Sequence, residues 1–393
     1  MNCLANWAVT ITPPRPERND AMTAVAADPA RDARFMAAAL RLSRTHLGLT
    51  ATNPTVGTLV VSDEGHGPVI VGSGVTALGG RPHAEPQALA EAGDRARGAT
   101  AYVTLEPCAH HGRTPPCANA LVSAGIARVV IAASDPDPRV SGKGAAILRD
   151  AGISVTEGVL AEEAADLMAG YLMRSSAKRP EVTLKMAISG DGMIGIRGHG
   201  QIAITGEVTK AQVHMMRSRA DAILVGAGTV LADDPDLTCR LSGLEGRSPQ
   251  RIVLDRMLKT PSTSRILRSA RQVPVMIAAA NDAAPDRREM LAGLGVTILA
   301  TDVEAGRICL PELLEDLAAR GISSLFVEGG AVTAARFLEE GLVDRIILLS
   351  NRIRIGEGGI PAPVTPDTVP QGFKLVREAD FGEDRMREWR RTG

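Results

Sequence analysis

Apolar positions recur at helical spacing from Arg31 onward, at Phe35, Ala38, Ala39 and Leu42, and after Asn53-Pro54-Thr55-Val56-Gly57 they give way to the short run Thr58 to Val61. The first pattern predicts a helix with one buried face and the second a strand. The alternation continues, helical from His83 to Ala92, extended from Thr100 to Leu105, helical from Cys117 to Ala124 and extended from Arg128 to Ala133. Strands separated by helices pair in parallel through a crossover, so the pattern predicts an α/β sandwich. After a helix over Glu162 to Met173, the small, polar, proline-ended stretch Ser175 to Pro180 marks a domain boundary. Beyond it, strands are expected at Val182 to Met186, Ala222 to Val225, Arg251 to Leu254, Pro274 to Ala278, Val296 to Leu299, Ser324 to Val327 and Arg345 to Leu349. Helical patterns at Lys210 to Arg219, Pro311 to Arg320 and Val332 to Glu340 fall between several of them, so the second unit is α/β as well. Residues 1–29, with Pro13, Pro14 and Pro16 and no sustained period, read as a loose extension in which Met22 offers a second start. The expected division is therefore 1–29, 30–175 and 180–393.

Composition narrows the chemistry. A chain of 393 residues with 45% apolar content has material for two cores. Aromatics at 2% cannot furnish a base-stacking surface, and a net charge of -1 with scattered Lys and Arg gives no phosphate-tracking stripe, so no nucleic-acid partner is expected. The substrate should be small. No run approaches the roughly 18 apolar residues of a membrane span, so no membrane partner is expected. Met1 to Arg18 lacks the layout of an export signal, which points to the cytoplasm. Five cysteines without regular spacing fit a reducing compartment, and Cys3, Cys239 and Cys309 are read as incidental.

The remaining two cysteines are not incidental. Pro82-His83-Ala84-Glu85 is followed by Glu106-Pro107-Cys108 and, eight intervening residues later, by Pro116-Cys117. One imidazole and two thiolates make three corners of a tetrahedral zinc site, leaving the fourth for water, and a carboxylate nearby can move that water's protons. The order matches the zinc deaminase signature, in which the glutamate is general acid and base and not a ligand. Both metal-binding segments fall where a helix begins, where thiolates are favoured. His83 and Glu85, two positions apart, would point to different faces of a regular helix, so His83 is expected at the very first turn with the longer Glu85 reaching the water. Two bland alternatives stay open: a structural zinc closed by His110 or His111, and a metal-free cluster. His46, His66, His199 and His214 read as ordinary histidines.

On these segments the chain resembles the bifunctional riboflavin-biosynthesis deaminase/reductase family over residues 31–390. The carrying motifs are Asn53-Pro54-Thr55-Val56-Gly57, Pro82-His83-Ala84-Glu85 and Leu105-Glu106-Pro107-Cys108-Ala109-His110-His111-Gly112-Arg113-Thr114-Pro115-Pro116-Cys117. The second half adds Leu184-Lys185-Met186-Ala187-Ile188-Ser189-Gly190-Asp191-Gly192, Thr229-Val230-Leu231-Ala232-Asp233-Asp234-Pro235 and Val327-Glu328-Gly329-Gly330. The resemblance implies a cytidine-deaminase-like α/β sandwich followed by a dihydrofolate-reductase-like α/β domain. It implies zinc-dependent removal of the 2-amino group of a diaminopyrimidinone ribosylamino 5'-phosphate, then NADPH-dependent reduction of the ribosyl group to ribityl. It also implies a homodimer through the reductase half.

The resemblance assigns residues as well. Glu85 is the catalytic acid and base, His83, Cys108 and Cys117 hold zinc, and Asn53 contacts substrate. In the reductase Lys185, Arg217, Leu237, Arg240 and Glu328 resemble substrate contacts, and Ala187, Thr205, Thr229, Asp233, Gly329 and Gly330 resemble cofactor contacts. Gly329 and Gly330 also fit on their own chemistry, because they follow a strand and open a helix whose amides can approach a pyrophosphate. Leu237 serves equally well as packing. Gly226-Ala227-Gly228 lacks the full dinucleotide fingerprint, so no Rossmann domain is inferred. Two departures stand out: Val75-Thr76 replaces an aromatic residue and a histidine, and Gln201-Ile202-Ala203 replaces Ser-x-Trp.

Overall fold

Asp28 opens the first helix, α1 (Pro29–Ser43), by accepting from the Ala30 and Arg31 amides, both at 3.1 Å, with Pro29 in the first turn. The computed structural model describes residues 28–63, 65, 67–112 and 115–392. The expected loose extension up to residue 27, Met22, Cys3 and His66 lie outside the described residues. Five strands follow α1 in one sheet: β1 (Gly57–Asp63), β2 (Pro68–Val75), β3 (Thr100–Leu105), β4 (Arg128–Ala133) and β5 (Ser154–Glu157), in the order β2-β1-β3-β4-β5. The first two pairings, β2 with β1 and β1 with β3, are antiparallel. The pairs β3/β4 and β4/β5 are parallel and joined by crossover helices α3 (Cys117–Ser123) and α4 (Lys143–Asp150). A helix between β2 and β3, α2 (Ala84–Ala92), lies tightly on β2. A Cβ at Gly74 would stand 2.1 Å from the Ala84 carbonyl oxygen, so only glycine lets the helix approach this far.

Inside this sheet Arg128 and Asp32 form a buried ion pair, with side chains 1% and 3% exposed, at 2.6 and 2.8 Å. Tyr102 donates to the same carboxylate at 2.9 Å. Removing one partner strands the other charge in the core, so Asp32→Ala is expected to lower unfolding stability by about 3–5 kcal/mol, read as an earlier midpoint in chemical denaturation.

The helix expected over Glu162 to Met173 is two helices. Buried Met168 (φ -106°, ψ 16°) breaks it into α5 (Ala161–Leu167) and α6 (Ala169–Ala177). The break turns α6 toward the second sheet, where Gly170 packs so close to the Ser323 carbonyl that a Cβ would lie 2.8 Å away. Only residues 178–180 separate α6 from the next strand, β6 (Glu181–Ile188).

Among the described residues the second sheet has nine strands. After β6 come β7 (Met193–Ile196), α7 (Glu207–Arg217), β8 (Ala222–Gly226), α8 (Ala227–Asp233), β9 (Gln250–Leu254), α9 (Arg265–Arg268) and β10 (Val275–Ala280). Then follow α10 (Pro285–Gly293), β11 (Thr297–Thr301), the small pair β12 (Val303–Glu304) and β13 (Arg307–Ile308), α11 (Leu310–Ala319), β14 (Ser324–Val327) and α12 (Ala331–Glu339). The chain ends with β15 (Arg345–Ser350), β16 (Gly359–Pro361), β17 (Phe373–Phe381) and β18 (Asp384–Arg391). The order is β11-β10-β9-β8-β14-β6-β15-β18-β17, parallel from β11 to β15 and antiparallel at the β18–β17 edge. Outside this sheet β7 pairs with β16 and β12 with β13. Central strands bury both faces: Ala222 and Leu224 join one apolar cluster, Ile223 and Val225 the other. A mostly parallel sheet with an antiparallel hairpin at one edge is the dihydrofolate-reductase-like arrangement the resemblance implies.

Candidate active sites

Three ligand-type atoms converge at the start of α2 and α3. His83 is the N-cap of α2, with extended backbone (φ -67°, ψ 170°), so it stands outside the helix and the one-face rule for helical neighbours does not bind it. This lets His83 and Glu85, two positions apart, both meet the Cys117 thiol. His83 Nδ1 lies 3.4 Å from Cys117 Sγ and 3.9 Å from Cys108 Sγ. Tetrahedral zinc with ordinary Zn–N and Zn–S bonds holds nitrogen and sulfur about 3.6 Å apart, so the trio fits that ion. All ligand atoms lie within 4.8 Å of one another, and among the described residues no other His, Cys, Asp or Glu joins them. His110 and His111 are not in the cluster, which removes the closed structural-zinc alternative among the described residues.

The electrostatics are those of a proton-sharing thiol pair. Cys108, which accepts from the Cys117 thiol, from His83 and from the Cys117 amide at 3.2 Å, is pushed down to about 4 despite burial. Cys117 is pushed up by the proton it shares with Cys108 and by burial. A bound divalent cation reverses that second shift, because a coordinating thiol is deprotonated outright. His83 is raised by its hydrogen bond to Cys108. Glu85, buried in the first turn of α2 beside Cys117, has its carboxyl raised by burial above the ordinary glutamate range.

His83, Glu85 and Cys108 line a cavity of about 1110 Å³ that also takes in Asn53, Thr76 and His110. A residue to which the sequence reading gave no role holds its floor. Buried Glu106, immediately before Pro107-Cys108, accepts from the Gly142 amide at 3.0 Å and the Ala145 amide at 3.2 Å at the start of α4. It pins the Cys108 loop to that helix. The signal was its adjacency to the cysteine, which periodicity cannot distinguish from a surface acid. Thr76, one of the two departures, does not open into the site as a free hydroxyl: it accepts from the Val56 amide at 2.9 Å and so stitches β1 to β2.

The second constellation lies at the carboxyl end of β14, the kind of place where parallel sheets put their ligands, beside the middle of β6. Glu328 accepts from Arg217 at 2.6 and 3.1 Å and from Lys185 at 3.3 Å, all three side chains largely buried. Burial alone would raise the Glu328 carboxyl, but Lys185 and Arg217 outweigh it and hold the group down to about 2. Arg217 also donates to the Thr238 carbonyl at 3.2 Å, tying the triad to the loop that carries Leu237 and Arg240. Leu237 itself is buried in the apolar cluster with Val225 and Val230, so its side chain packs. Arg240 is exposed, 3.8 Å from Asp236, with its amide donating to His214 at 3.3 Å.

The glycines form a cradle. Gly330 caps α12, and its amide donates to Thr229 Oγ1 at 3.2 Å in α8, so two helix starts stand side by side. A Cβ at Gly329 would come 2.6 Å from Thr333 Cβ, and one at Gly226 would come 2.7 Å from Thr333 Oγ1. Paired helix N-termini suit the diphosphate of a nicotinamide dinucleotide. Ala187 follows Lys185 on the same face of β6, since alternate residues share a face. Thr205 sits just before Gly206, whose amide is anchored by Asp384 at 2.8 Å. Asp233 closes α8 with its carboxyl raised by burial.

Comparison with known proteins places both halves. Residues 29–133 match the cytidine and deoxycytidylate deaminase zinc-binding region, and residues 180–385 match the RibD C-terminal domain. The riboflavin biosynthesis protein RibD of Aquifex aeolicus is 41% identical over 355 residues, which is 90% of this chain and 96% of that protein. Among solved structures, Acinetobacter baumannii RibD superposes with a TM-score of 0.81 at 36% identity, covering 93% of this chain and 100% of that one. The diaminohydroxyphosphoribosylaminopyrimidine deaminase/5-amino-6-(5-phosphoribosylamino)uracil reductase of Thermotoga maritima does so at 0.79 and 34% identity, covering 92% and 99%. With a zinc-type trio in one sheet and an ion triad beside a glycine cradle in the other, matched along nearly the whole chain, the chain belongs to the RibD family of bifunctional riboflavin-biosynthesis proteins.

Proposed function

We propose that residues 30–175 deaminate a diaminopyrimidinone ribosylamino 5'-phosphate and that residues 180–393 reduce the resulting 5-amino-6-(5-phosphoribosylamino)uracil to its ribityl form. The observation that carries this reading is the convergence of His83, Cys108 and Cys117 beside buried Glu85, with no fourth ligand among the described residues. His83, Cys108 and Cys117 would hold a zinc ion, which would make a water acidic enough to be deprotonated near neutral pH. Glu85 would take a proton from the attacking water and deliver it to the ring nitrogen, then take the proton of the hydroxyl now bonded to the ring carbon and pass it to the amine, which leaves as ammonia as its C–N bond breaks, so one carboxyl group works as base and as acid. Its raised affinity for protons, a result of burial, suits the acid half of the cycle. Asn53, an amide that both donates and accepts, reads the pyrimidine edge.

In the reductase, Gly329, Gly330, Thr229, Asp233, Thr205 and Ala187 would hold NADPH, which would supply the hydride. Lys185 polarises the sugar oxygen from its fixed place beside Glu328. Arg217, together with Arg240 at the rim, offers guanidinium donors to the 5'-phosphate. Leu237 contributes through its backbone, since its side chain is packed away. No helix among the described residues is long and apolar enough to cross a membrane. Cytoplasmic operation and a homodimer built on the reductase half belong to the same reading. The edge strand β17 supports the latter, because Leu375 and Val376 are exposed along it.

The test is to supply the diaminopyrimidinone phosphate with NADPH and follow ammonia and NADPH absorbance together. NADPH is expected to fall only after ammonia has been released. Ammonia without any NADPH oxidation would overturn the reductase assignment.

A further inference from the structure

One wall of the zinc-site cavity comes from the other domain. Glu315, Ala318 and Ala319 of α11 line the same space as Glu85 and Asn53. The loop carrying Asn53 is short and locally tied: the Asn53 amide donates to the Thr50 carbonyl at 3.1 Å and Thr50 Oγ1 donates to the Asn53 carbonyl at 2.7 Å. Its outer side rests on the turn before β14, where Gly321 has φ +92° and a Cβ would strike the Thr52 methyl at 2.7 Å. Arg174 of α6 fastens the two. Its Nη2 donates to the Thr52 carbonyl at 2.6 Å and its Nε to Ser323 Oγ at 2.9 Å. Ser323 is itself fixed, its amide donating to Asp221 at 2.9 Å.

We propose that Arg174 is a positioning residue for deamination: it clamps the Asn53 loop against the reductase domain, so that the deaminase pocket is complete only when the second domain is docked. A guanidinium suits the task because its planar fork holds two acceptors at a set angle, which a lysine cannot do. Arg174 lies outside the metal cluster and outside the reductase triad. Its loss therefore leaves zinc binding and reduction intact and shifts the substrate-binding edge of the deaminase alone. The inference rests on the deaminase reading above.

The experiment uses the full chain as Arg174→Ala, Arg174→Lys, Ser323→Ala and the Arg174→Ala/Ser323→Ala double variant. Ammonia release from the diaminopyrimidinone phosphate gives KM and kcat, NADPH oxidation with the supplied deaminated intermediate reports the reductase, and zinc content is measured per chain. Expected is a deaminase KM raised about tenfold in Arg174→Ala, in line with the sensitivity of bound geometry to small displacements, with kcat less affected and zinc and reductase at parent levels. Arg174→Lys should recover part of the loss. Ser323→Ala should shift KM the same way by less, and the double variant should be no worse than Arg174→Ala, because both act through one link. An unchanged KM in Arg174→Ala, or equal loss of both activities, overturns the inference, as do additive effects in the double variant. Should Arg174→Ala fail to fold, the Ser323→Ala shift decides alone. A parent enzyme that releases no ammonia overturns the functional reading and this inference with it. Parent turnover with an unchanged variant KM overturns the inference only.

Discussion

Glu85→Gln is expected to slow ammonia release by about a hundred- to ten-thousand-fold, the range by which a positioned acid-base group accelerates reaction, while one zinc per chain is retained. The amide has nearly the shape of the carboxyl but can neither take the water's proton nor return one to the leaving amine. His83, Cys108 and Cys117 do not depend on Glu85 for their place. His83 is set by the start of α2, Cys117 by the start of α3, and Cys108 by the Glu106 anchor. Metal content should therefore separate from turnover, and reduction of supplied deaminated intermediate should proceed at the parent rate. Ammonia release at the parent rate in Glu85→Gln would remove the proton-shuttle role.

The second large effect is expected at Glu328. Its carboxylate pairs with both Lys185 and Arg217, and in Glu328→Gln two buried cations lose that shared counter-charge. Truncating one member of such a pair costs about 2–5 kcal/mol, so NADPH oxidation should fall by at least tenfold with deamination unaffected. The sign of the pH dependence follows from the carboxyl being held down to about 2. A depressed folded value means that the stability this group contributes is present above its unfolded value, about 4.3, and is lost as pH falls through about 2. Glu328 thus stays ionised throughout the neutral and mildly acidic range. A reductase pH profile whose acid limb near pH 6 disappears in Glu328→Gln would contradict that placement.

The zinc trio was legible because its chemistry demands particular side chains in a particular order, whatever the backbone does. The flanking strands β3 and β4 were legible too, as continuous apolar runs with the observed limits. Strand β2 was not, because Gly72, Ser73 and Gly74 carry no apolar alternation; the two glycines are small so that α2 can lie on them. The hairpin β17–β18 escaped notice for the opposite reason, since Arg385, Arg387 and Arg390 face out or pair with acids at an edge. The single helix expected across Met168 failed because helical spacing continues through a bend that only packing against the second sheet explains. In the reductase, the resemblance marked Lys185, Arg217 and Glu328 separately. Their meeting around one carboxylate depends on β6 and β14 being neighbours, which no local pattern states. Arg174 was invisible for the same reason, because both of its acceptors are distant in sequence.

The three-residue span between α6 and β6 has a consequence for how the intermediate travels. Even fully extended, residues 178–180 reach only about 10 Å, and Arg174 holds the bodies together across the joint. Such a tether forbids a swinging arm: neither half can carry its product to the other by turning. The uracil crosses the gap without any rotation of the halves, and an added trap that consumes it reads how much of it passes through bulk solvent.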